Sequence, residues 1–448
     1  MTTEFVRGDT MPGVPKLALS VAVLVSLAAL GTVPAGAQST GDKPTATEVG
    51  VTPSQIHIAT IADVDNPFVP GLFDGARIGA EAAAQYLNSK AGGGGVAGRK
   101  LVVDFIDSQL NANKSRNSVI TACQNDFAMV GGAVLFLTSA DDLLGCPDKS
   151  GAKTGLPDMP SFSAGIVESC TPVTFGLNPP QLDCSTQFAT KQRYTNSVGM
   201  ARWLQKKFGK LHGAMLYPID TKDAERGGRS ILDAVQKAGI NADQYKGISA
   251  TTPQSGYTPI VAQMKADRSN YAQAIGGNPA LLKAEAQLQG ITDHVVYIGA
   301  YTHDAATNPV MDDTWAGVGY VPFEEASTNA MLQDFLKLVP RAKADPYAVY
   351  GWSAVLAFAQ AAKAVVAKSG VNGLTRAALL KDGVTTLTNF DAGGMFGTTD
   401  IARHQLTRCF AVVHLTGGKF VRAYPAKKGT LDCRPSNVVT TQGNYGAG

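Results

Sequence analysis

Residues 56–106 read IHIATIADVDNPFVPGLFDGARIGAEAAAQYLNSKAGGGGVAGRKLVVDFI, and this segment indicates the fold class most clearly. It begins with a short β-branched run, Ile56–Ile61, and ends with a second apolar run, Leu101–Ile106. Between the two runs, apolar residues recur on one helical stripe: Leu72, Ala76, Ala80, Ala83 and Leu87. A strand–helix–strand unit of this length predicts a parallel sheet with helices packed on both faces.

The same alternation continues along the chain and restarts near residue 195. A second helical stripe carries Val119, Cys123 and Phe127, and an apolar strand follows within residues 129–137. Beyond an irregular connector at residues 170–184, helical segments separate further strand-like runs: Gly213–Tyr217, Tyr245–Ser249, Tyr271–Ile275 and His294–Ile298. The pattern predicts two similar α/β lobes.

Two further elements follow the second lobe. Residues 347–367 form a strongly apolar helical segment. The runs Cys409–His414 and Lys419–Tyr424 are separated by Thr416-Gly417-Gly418, which predicts a β-hairpin.

The first 37 residues have the three-part pattern of a secretory signal peptide. A basic start with Arg7 and Lys16 precedes the uncharged apolar run Leu17–Leu30, and Ala35-Gly36-Ala37 supplies small residues for cleavage. A membrane anchor is the alternative, although the run is shorter than the about 20 residues that a spanning helix needs. We therefore expect an exported protein, periplasmic or at the cell envelope or extracellular, with residues 38–50 as a flexible leader.

Six cysteines agree with export, and none has the spacing of a metal site. We expect all six in disulfides, with buried free thiols as the alternative. Six cysteines allow 15 pairings, so the sequence leaves the connectivity open. Pairing of neighbours is the simplest arrangement, because each bond then closes a short loop; the cysteines are Cys123, Cys146, Cys170, Cys184, Cys409 and Cys433.

Composition limits the function classes. The chain has 448 residues, 39 Lys+Arg against 36 Asp+Glu, a net charge of +3 and 17% charged residues. This length allows two or three domains. The near-neutral charge argues against a nucleic-acid partner.

The sequence motifs that could indicate catalysis or cofactor binding are incomplete or lie between the wrong structural elements. Residues 93–98 match G-x-G-x-x-G, but they follow a helix and lead into a strand, whereas a dinucleotide loop follows a strand and opens a helix. Residues 351–355 lack the second glycine of a nucleophile elbow, and no H-E-x-x-H is present. His303-Asp304 is the one adjacent His–carboxylate pair of interest. We expect no enzyme activity, no cofactor and no metal, although a triad assembled in space would leave no such motif.

Polar or aromatic loops follow several predicted strands. Ligands of open parallel sheets bind beyond the carboxyl ends of the strands, so two facing lobes would bring these loops into one cleft. Ordinary solvated loops are the alternative interpretation. The candidate ligand-binding residues of these loops are Asp65, Asn66, Ser163, Ala164, Gly165, Thr221, Lys222, Asn278 and Tyr301.

Residues 56–123 resemble the opening of the branched-chain amino-acid-binding receptors of ABC transporters, which are type I periplasmic solute-binding proteins. The shared pattern is the first strand, a G-x-x-x-G-x-x-x-A-like helix, an N-x-x-G-G-x-x-G-R-K-like turn and a second strand ending at Asp107. The likeness extends over residues 50–425, through the segment that ends at Gly290, the helix from Tyr347 and the closing hairpin. It looks most like the actinobacterial branch with several disulfides.

The resemblance implies two Rossmann-like lobes that are joined by three hinge crossovers and close on a small molecule. Lobe 1 would comprise residues 51–190 and 325–385, lobe 2 residues 191–324 and 386–425, and residues 426–448 a C-terminal tail. The implied partners are a small-molecule solute and an ABC permease, and the implied state is a monomer.

The family's ligand-binding residues carry over unevenly. The serine and threonine that hold the α-carboxylate correspond to positions near Leu135, with Thr138 close by, and to Gly165. Backbone N–H groups at residues 163–165 could still bind an anion. The family's acidic residue for the α-amine falls near Tyr301, and its aromatic residues fall near Thr221-Lys222 and Asn278.

We therefore expect an extracytoplasmic solute-binding receptor whose ligand is not an ordinary branched-chain amino acid. An amide, an organic acid held by Lys222 or a more apolar nutrient would fit. A ligand sensor of the same fold without a transport partner, or a secreted hydrolase, are the alternative functions.

Overall fold

The computed structural model describes residues 43–67, 69–137, 139–163, 165–166, 170–178, 182–291 and 294–445. The proposed signal peptide and the first part of the leader lie outside these residues.

The quoted stretch folds as the sequence predicts, into strand β1 (Gln55–Ala62), helix α1 (Asp74–Asn88) and strand β2 (Lys100–Asp107). β1 and β2 pair in parallel from Gln55–Lys100 to Ala62–Asp107. Helix α2 (Ala112–Asn125) then returns the chain to the other side of β1.

Four short strands complete the first sheet, and all pairings in this sheet are parallel. β3 (Ala128–Val130) and β4 (Ala133–Val134) are separated by a glycine pair and both lie beside β1. Their outer partners are β5 (Asp158–Met159) and β6 (Phe162–Ser163). A short helix, α3 (Asp141–Leu144), lies in the connection.

Alternation along β1 gives the first sheet a core on each face. Ile56 and Ile58 face the core that is shared with α1, and Ala59 and Ile61 face the core shared with α2. All four side chains are at most 1% exposed. The prediction of a parallel sheet with helices on both faces is confirmed.

The second sheet has seven strands in the order β14-β13-β12-β11-β10-β8-β9. Its parallel strands are β8 (His212–Pro218), β9 (Asn241–Ile248), β10 (Tyr271–Ala274), β11 (Val296–Ile298) and β12 (Thr314–Val318). Helices around it are α4 (Gly199–Phe208), α5 (Lys222–Lys237), α6 (Thr258–Ala266), α7 (Pro279–Leu288) and α8 (His303–Thr307). The predicted hairpin is present as antiparallel β13 (Ala411–Thr416) and β14 (Lys419–Tyr424).

Between β12 and β13 the chain returns to the first sheet. Helix α9 (Ala330–Leu338) leads to the long helix α10 (Pro346–Ser369), which packs on α1, and to the short α11 (Arg376–Ala378). The chain thus passes between the two sheets three times. Short 3₁₀ or π segments lie in the connections: Cys184–Thr186, Gln254–Gly256, Pro309–Met311, Phe323–Thr328, Arg341–Lys343, Leu379–Gly383, Val384–Thr386, Ile401–Arg403 and Pro435–Asn437.

Helix α10 is apolar enough to span a membrane by length and composition, the one such helix among the described residues. Its apolar window is 67% buried inside the protein, which makes it a core helix. It lies against α1 because both helices carry glycine at the contact. A Cβ on Gly79 would come 2.0 Å from the carbonyl oxygen of Ala348, and one on Gly351 would come 2.3 Å from that of Ala76.

Both ends of the described chain are tied to the fold. Residues 43–50, expected to belong to a flexible leader, are instead fixed: Thr45 N–H donates to Asn372 Oδ1 at 2.8 Å, and Glu48 is 5% exposed. The expected tail contains a strand, β15 (Val438–Gly443), which pairs antiparallel with β7 (Gln192–Ser197).

All six cysteines form disulfides, and each cysteine is bonded to its neighbour along the chain. The bonds are Cys123–Cys146, Cys170–Cys184 and Cys409–Cys433. The neighbour pairing was one of the arrangements that the sequence left open.

Candidate functional site

A cavity of about 530 Å³ lies where the carboxyl ends of strands from both sheets meet. This volume is ordinary for a small-molecule site. The first sheet and its helices contribute a mostly apolar wall, and the second sheet contributes the polar one. The apolar wall comprises Leu72, Phe73, Leu135, Phe162 and Tyr347.

Three aromatic rings of that wall form one cluster. The ring centroid of Phe73 lies 4.7 Å from that of Tyr347 and 5.5 Å from that of Phe162. Their edge-to-face and tilted arrangement is favourable for aromatic pairs. The cluster offers a ligand broad carbon surface, and burial raises the pKa of the Tyr347 hydroxyl, so that it stays neutral.

Hydrogen bonds to the Asp63 carboxylate hold the loops of the apolar wall at the strand ends. This fully buried carboxylate follows β1 and accepts a hydrogen bond from Ser108 Oγ at 2.6 Å. The same carboxylate accepts from Leu110 N–H and Leu135 N–H at 2.8 Å each. One side chain therefore fixes three loops, and Leu135 reaches the cavity as a result.

The polar wall is built on the start of helix α5. Thr221 is the N-cap residue, and its Oγ1 accepts from Ala224 N–H at 3.0 Å. Asp220 accepts from Ser249 Oγ at 2.6 Å and from Ala250 N–H at 3.2 Å. The described residues that line the cavity include carboxylates but no Lys, Arg or His.

Asp223 joins the two walls. Its Oδ2 accepts from Ile166 N–H at 2.9 Å, and its Oδ1 pairs with Arg226 at 3.2 Å. Ile166 follows β6 of the first sheet, and Asp223 belongs to a helix of the second. The bond therefore spans the cleft and uses a backbone N–H beside Gly165 that an anionic ligand would otherwise need.

Tyr194 supplies a hydroxyl group that no described protein group binds. The residue lines the cavity, is 3% exposed, and its ring packs edge-on against Tyr445 with centroids 5.2 Å apart. Its Oη is buried without a hydrogen-bond partner. Burial raises the pKa of Tyr194 to about 12, so the hydroxyl is neutral and can donate or accept. A buried polar group without a partner is costly. Because this oxygen has almost no accessible surface, a ligand would reach it only after the Tyr194 ring or its neighbours shift.

A second cavity of about 570 Å³ adjoins the first. It shares four lining residues with it: Asn178, Ile231, Ile275 and Gly277. Its further walls include Met200, Leu204 and Phe410 from the apolar core of the second sheet. The two cavities together would accommodate a ligand longer than the first cavity alone.

Two of the residues proposed from sequence line the first cavity, namely Gly165 and Thr221. Thr138 and Ala164 lie outside the described residues. Ser163 is described by its backbone, which ends β6 opposite Val134.

The other five proposed residues are not among those that line the cavity. Asp65 is exposed and donates its N–H to Asp107, and Asn66 uses its side chain to close its own loop on Val69 N–H at 2.7 Å. Lys222 is exposed at the first turn of α5. Asn278 caps helix α7 through Ala280 N–H at 2.9 Å.

Tyr301 lies in the hydrophobic core, 3% exposed. Its ring stacks on Phe323 with centroids 5.0 Å apart and meets Phe420 edge-on at 4.7 Å. Its hydroxyl donates to Glu324 and accepts from Phe323 N–H at 2.7 Å. The structure therefore keeps Tyr301 away from the cavity.

Sequence reasoning missed Phe73, Phe162, Tyr194, Asp223 and Tyr347. Phe162 begins the loop at residues 162–165 that the sequence marks as a candidate, although only Ser163, Ala164 and Gly165 are proposed there as ligand-binding residues. Tyr347 begins an apolar helix and looked like part of a helix interior. The local sequence gives no indication that Tyr194 lies at the site, because its strand β7 pairs with β15 from the far end of the chain.

A family model described as "Periplasmic binding protein" matches residues 55–419. No curated protein sequence matches the chain.

Several solved structures share the fold. One is an ABC transporter substrate-binding protein from Aeropyrum pernix, with 17% identity, a TM-score of 0.61 and coverage of 85% of this chain and 97% of that one. A solute-binding protein from R. palustris in complex with benzoate has 16% identity, a TM-score of 0.59 and coverage of 85% and 98%. A fatty acid ABC transporter substrate-binding protein from Thermomonospora curvata has 17% identity, a TM-score of 0.59 and coverage of 85% and 97%.

Proposed function

The chain belongs to the periplasmic binding protein family, and from this premise we propose that it is the extracytoplasmic solute receptor of an ABC importer. The observation that carries the proposal is the cavity between the strand ends of the two sheets, with one wall from each. Binding energy would come from desolvating a small molecule between these walls. The closed form would then present its surface to a membrane permease.

The proposed domains follow from this function. Lobe 1 contains the first sheet with α1 and α10, and lobe 2 contains the second sheet, as the segments proposed from sequence describe (residues 51–190 and 325–385, and residues 191–324 and 386–425). The three passages of the chain between the sheets would act as hinges. Binding would close the lobes by rotation about these segments.

The proposed ligand is a small solute with an apolar or aromatic body and a neutral or cationic polar end. Phe73, Phe162 and Tyr347 provide the surface for the body. Asp223 is paired with Arg226, whereas Asp220 has no described cation partner, so the Asp220 carboxylate in particular would repel a ligand carboxylate. This argues against an organic acid held by Lys222, which is exposed outside the cavity wall.

An unmodified branched-chain amino acid is also a poor fit. Its α-carboxylate needs donors, and the N–H of Ile166 is engaged by Asp223. The neutral hydroxyl of Tyr194 suits an amide, alcohol or amine better than a zwitterion.

A thermal-shift screen with matched pairs tests this proposal. Benzamide is compared with benzoate, octanol with octanoate, and leucinamide with leucine. We expect the neutral or cationic member of each pair to raise the melting temperature more. A ligand at 100 times its Kd adds about 2.7 kcal/mol to the free energy of unfolding. Stronger stabilisation by leucine or by the carboxylates would contradict the proposed ligand class.

Tyr194→Phe then tests the site itself with the best ligand of that screen. We expect Kd to rise about three- to tenfold, the worth of one neutral hydrogen bond, with little change in fold. Tyr86→Phe is the matched control, because Tyr86 packs on Trp352 away from the cavity, and its Kd should equal that of the wild type. Equal affinities for both variants would remove Tyr194 from the site.

A further inference from the structure

A cluster of metal-ligating groups lies at the opposite end of the first sheet from the cavity. It comprises His57 on β1, Asp104 on β2 and Asp126, the C-cap residue of α2. His57 Nδ1 is 2.7 Å from Asp104 Oδ2, and one ligand atom from each residue lies within 4.8 Å of the others. Ala62 ends β1 five positions after His57, so the backbone of His57 is about 17 Å from the carboxyl end of that strand.

Asp126 contributes a buried carboxylate to the cluster, and one of its oxygens is left unsatisfied by the part of the chain that the structure describes. The residue is 1% exposed, and its buried Oδ1 has no hydrogen-bond partner among the described residues. A buried carboxylate oxygen without a donor carries a large desolvation cost. The nearby Arg376 does not relieve it, because that guanidinium donates to the backbone carbonyl oxygens of Asp126 and Phe127.

Two carboxyl groups crowd the same space. Asp104 and Asp126 each present a carboxylate oxygen within 4.8 Å of the other and of a ring nitrogen of His57. A bound cation would offset the repulsion between the two carboxylates and could satisfy the free Oδ1 of Asp126.

We propose that His57, Asp104 and Asp126 bind a divalent transition-metal ion of the zinc class. One imidazole nitrogen with two carboxylate oxygens is a donor set typical of Zn²⁺, whereas Ca²⁺ and Mg²⁺ prefer oxygen alone. Ligands about 2.0–2.1 Å from a tetrahedral ion lie about 3.3 Å apart, so His57 and Asp104 need to separate by only about half an ångström.

The surroundings permit entry and give the ion a structural role. The side chains of His57 and Asp104 are 29% and 44% exposed, so an ion reaches the cluster from solvent, while Asp126 forms its buried side. The ion would join β1, β2 and the end of α2. Since it sits away from the cavity, it stabilises lobe 1 without contacting the solute.

Isothermal titration of chelator-treated protein with ZnCl₂ alone tests the site. We expect one ion per chain with micromolar or tighter Kd, and a higher melting temperature in its presence. Asp126→Asn and Asp104→Asn should each weaken binding at least tenfold. Asp104→Asn keeps the test valid if the buried variant fails to fold, because Asp104 is half-exposed.

A second His–carboxylate pair in the same chain provides the matched control. His414 Nε2 lies 2.6 Å from Asp313 Oδ1, and among the described residues no third His, Cys, Asp or Glu completes a metal-ligating group with them. Asp313→Asn should leave the zinc affinity unchanged. Absence of stoichiometric binding, or equal loss of zinc affinity in the Asp313 and Asp104 variants, would overturn the proposal.

Discussion

Asp345 caps the long helix α10 while partly buried. Its Oδ1 accepts from Ala348 N–H at 2.7 Å, which satisfies one free donor of the helix start. Burial nevertheless raises the pKa of this carboxyl from 3.8 to about 6, and nearby Asp74 adds to the effect. The charged form of Asp345 is thus less favourable in the folded chain than in the unfolded one.

This single group predicts a pH dependence of stability. Between pH 4 and pH 6 the folded chain binds more protons at Asp345 than the unfolded chain, so its contribution to the free energy of unfolding falls as pH rises. The loss amounts to at most about 3 kcal/mol above pH 6. Asp345→Asn keeps the capping oxygen and removes the charge. The free energy of unfolding of the variant, relative to that of the wild type, should therefore increase as the pH rises. Urea unfolding at pH 4.5, 5.5 and 7 measures this, and parallel pH profiles would refute it.

The burial of Tyr301 in the hydrophobic core could not be predicted from the sequence. The residue follows a strand, as ligand-binding residues of such folds do, and this position suggested a place in the cleft. The segment around Phe323 and the hairpin residue Phe420 fold over it and turn it into core. Which segment covers a strand end depends on contacts between distant parts of the chain, and local patterns do not report them.

At the scale of elements, regular segments were predictable and irregular pairings were not. β1, α1, β2 and the β13–β14 hairpin follow from apolar periodicity and glycine turns. β5 and β6 have two residues each, too short for any period to be read. β7 and β15 pair residues as distant as Thr195 and Thr440, and nothing in either segment identifies its partner.

The β7–β15 pair gives a prediction for truncation. A chain ending at Asn437 loses β15 and Tyr445, which is 6% exposed. Removing that buried ring alone should cost about 2–3 kcal/mol. The truncation also uncovers Tyr194, so ligand affinity should fall together with the melting temperature.

Tyr445→Phe separates the strand from the hydroxyl in this experiment. The variant loses the hydrogen bond to Asp233 at 2.7 Å and keeps the ring. We therefore expect the free energy of unfolding to fall by about 1 kcal/mol and the ligand affinity to stay unchanged. If the truncated chain unfolded at the temperature of the full chain, β15 would have no part in stability.

For the whole molecule, the disulfides link stability to the site. Cys170–Cys184 closes a loop with a sequence separation of 14, worth about 3 kcal/mol in the chain-entropy model. The enclosed segment carries Asn178 and Leu182 of the cavity wall. Replacing both cysteines by serine should therefore lower both the free energy of unfolding and the ligand affinity.

The bond between Cys123 and Cys146 is the comparison for that variant. Its sequence separation is 23, and neither cysteine lines the cavity. The corresponding double serine variant should lose a similar free energy of unfolding with unchanged Kd. Chemical denaturation and calorimetric titration of both variants measure the two effects. Equal losses of affinity would show that the 170–184 loop has no special role at the site.

The hydrogen bond from Ile166 N–H to Asp223 also has a kinetic consequence. Because it joins the two walls of the cleft, we expect this bond to break before the walls separate to admit a solute. Capture is then gated: at high solute concentration the observed association rate levels off at the opening frequency of the protein rather than climbing toward the diffusion limit. We expect slow binding to be accompanied by slow release of the solute, because the same bond would have to break for the solute to leave.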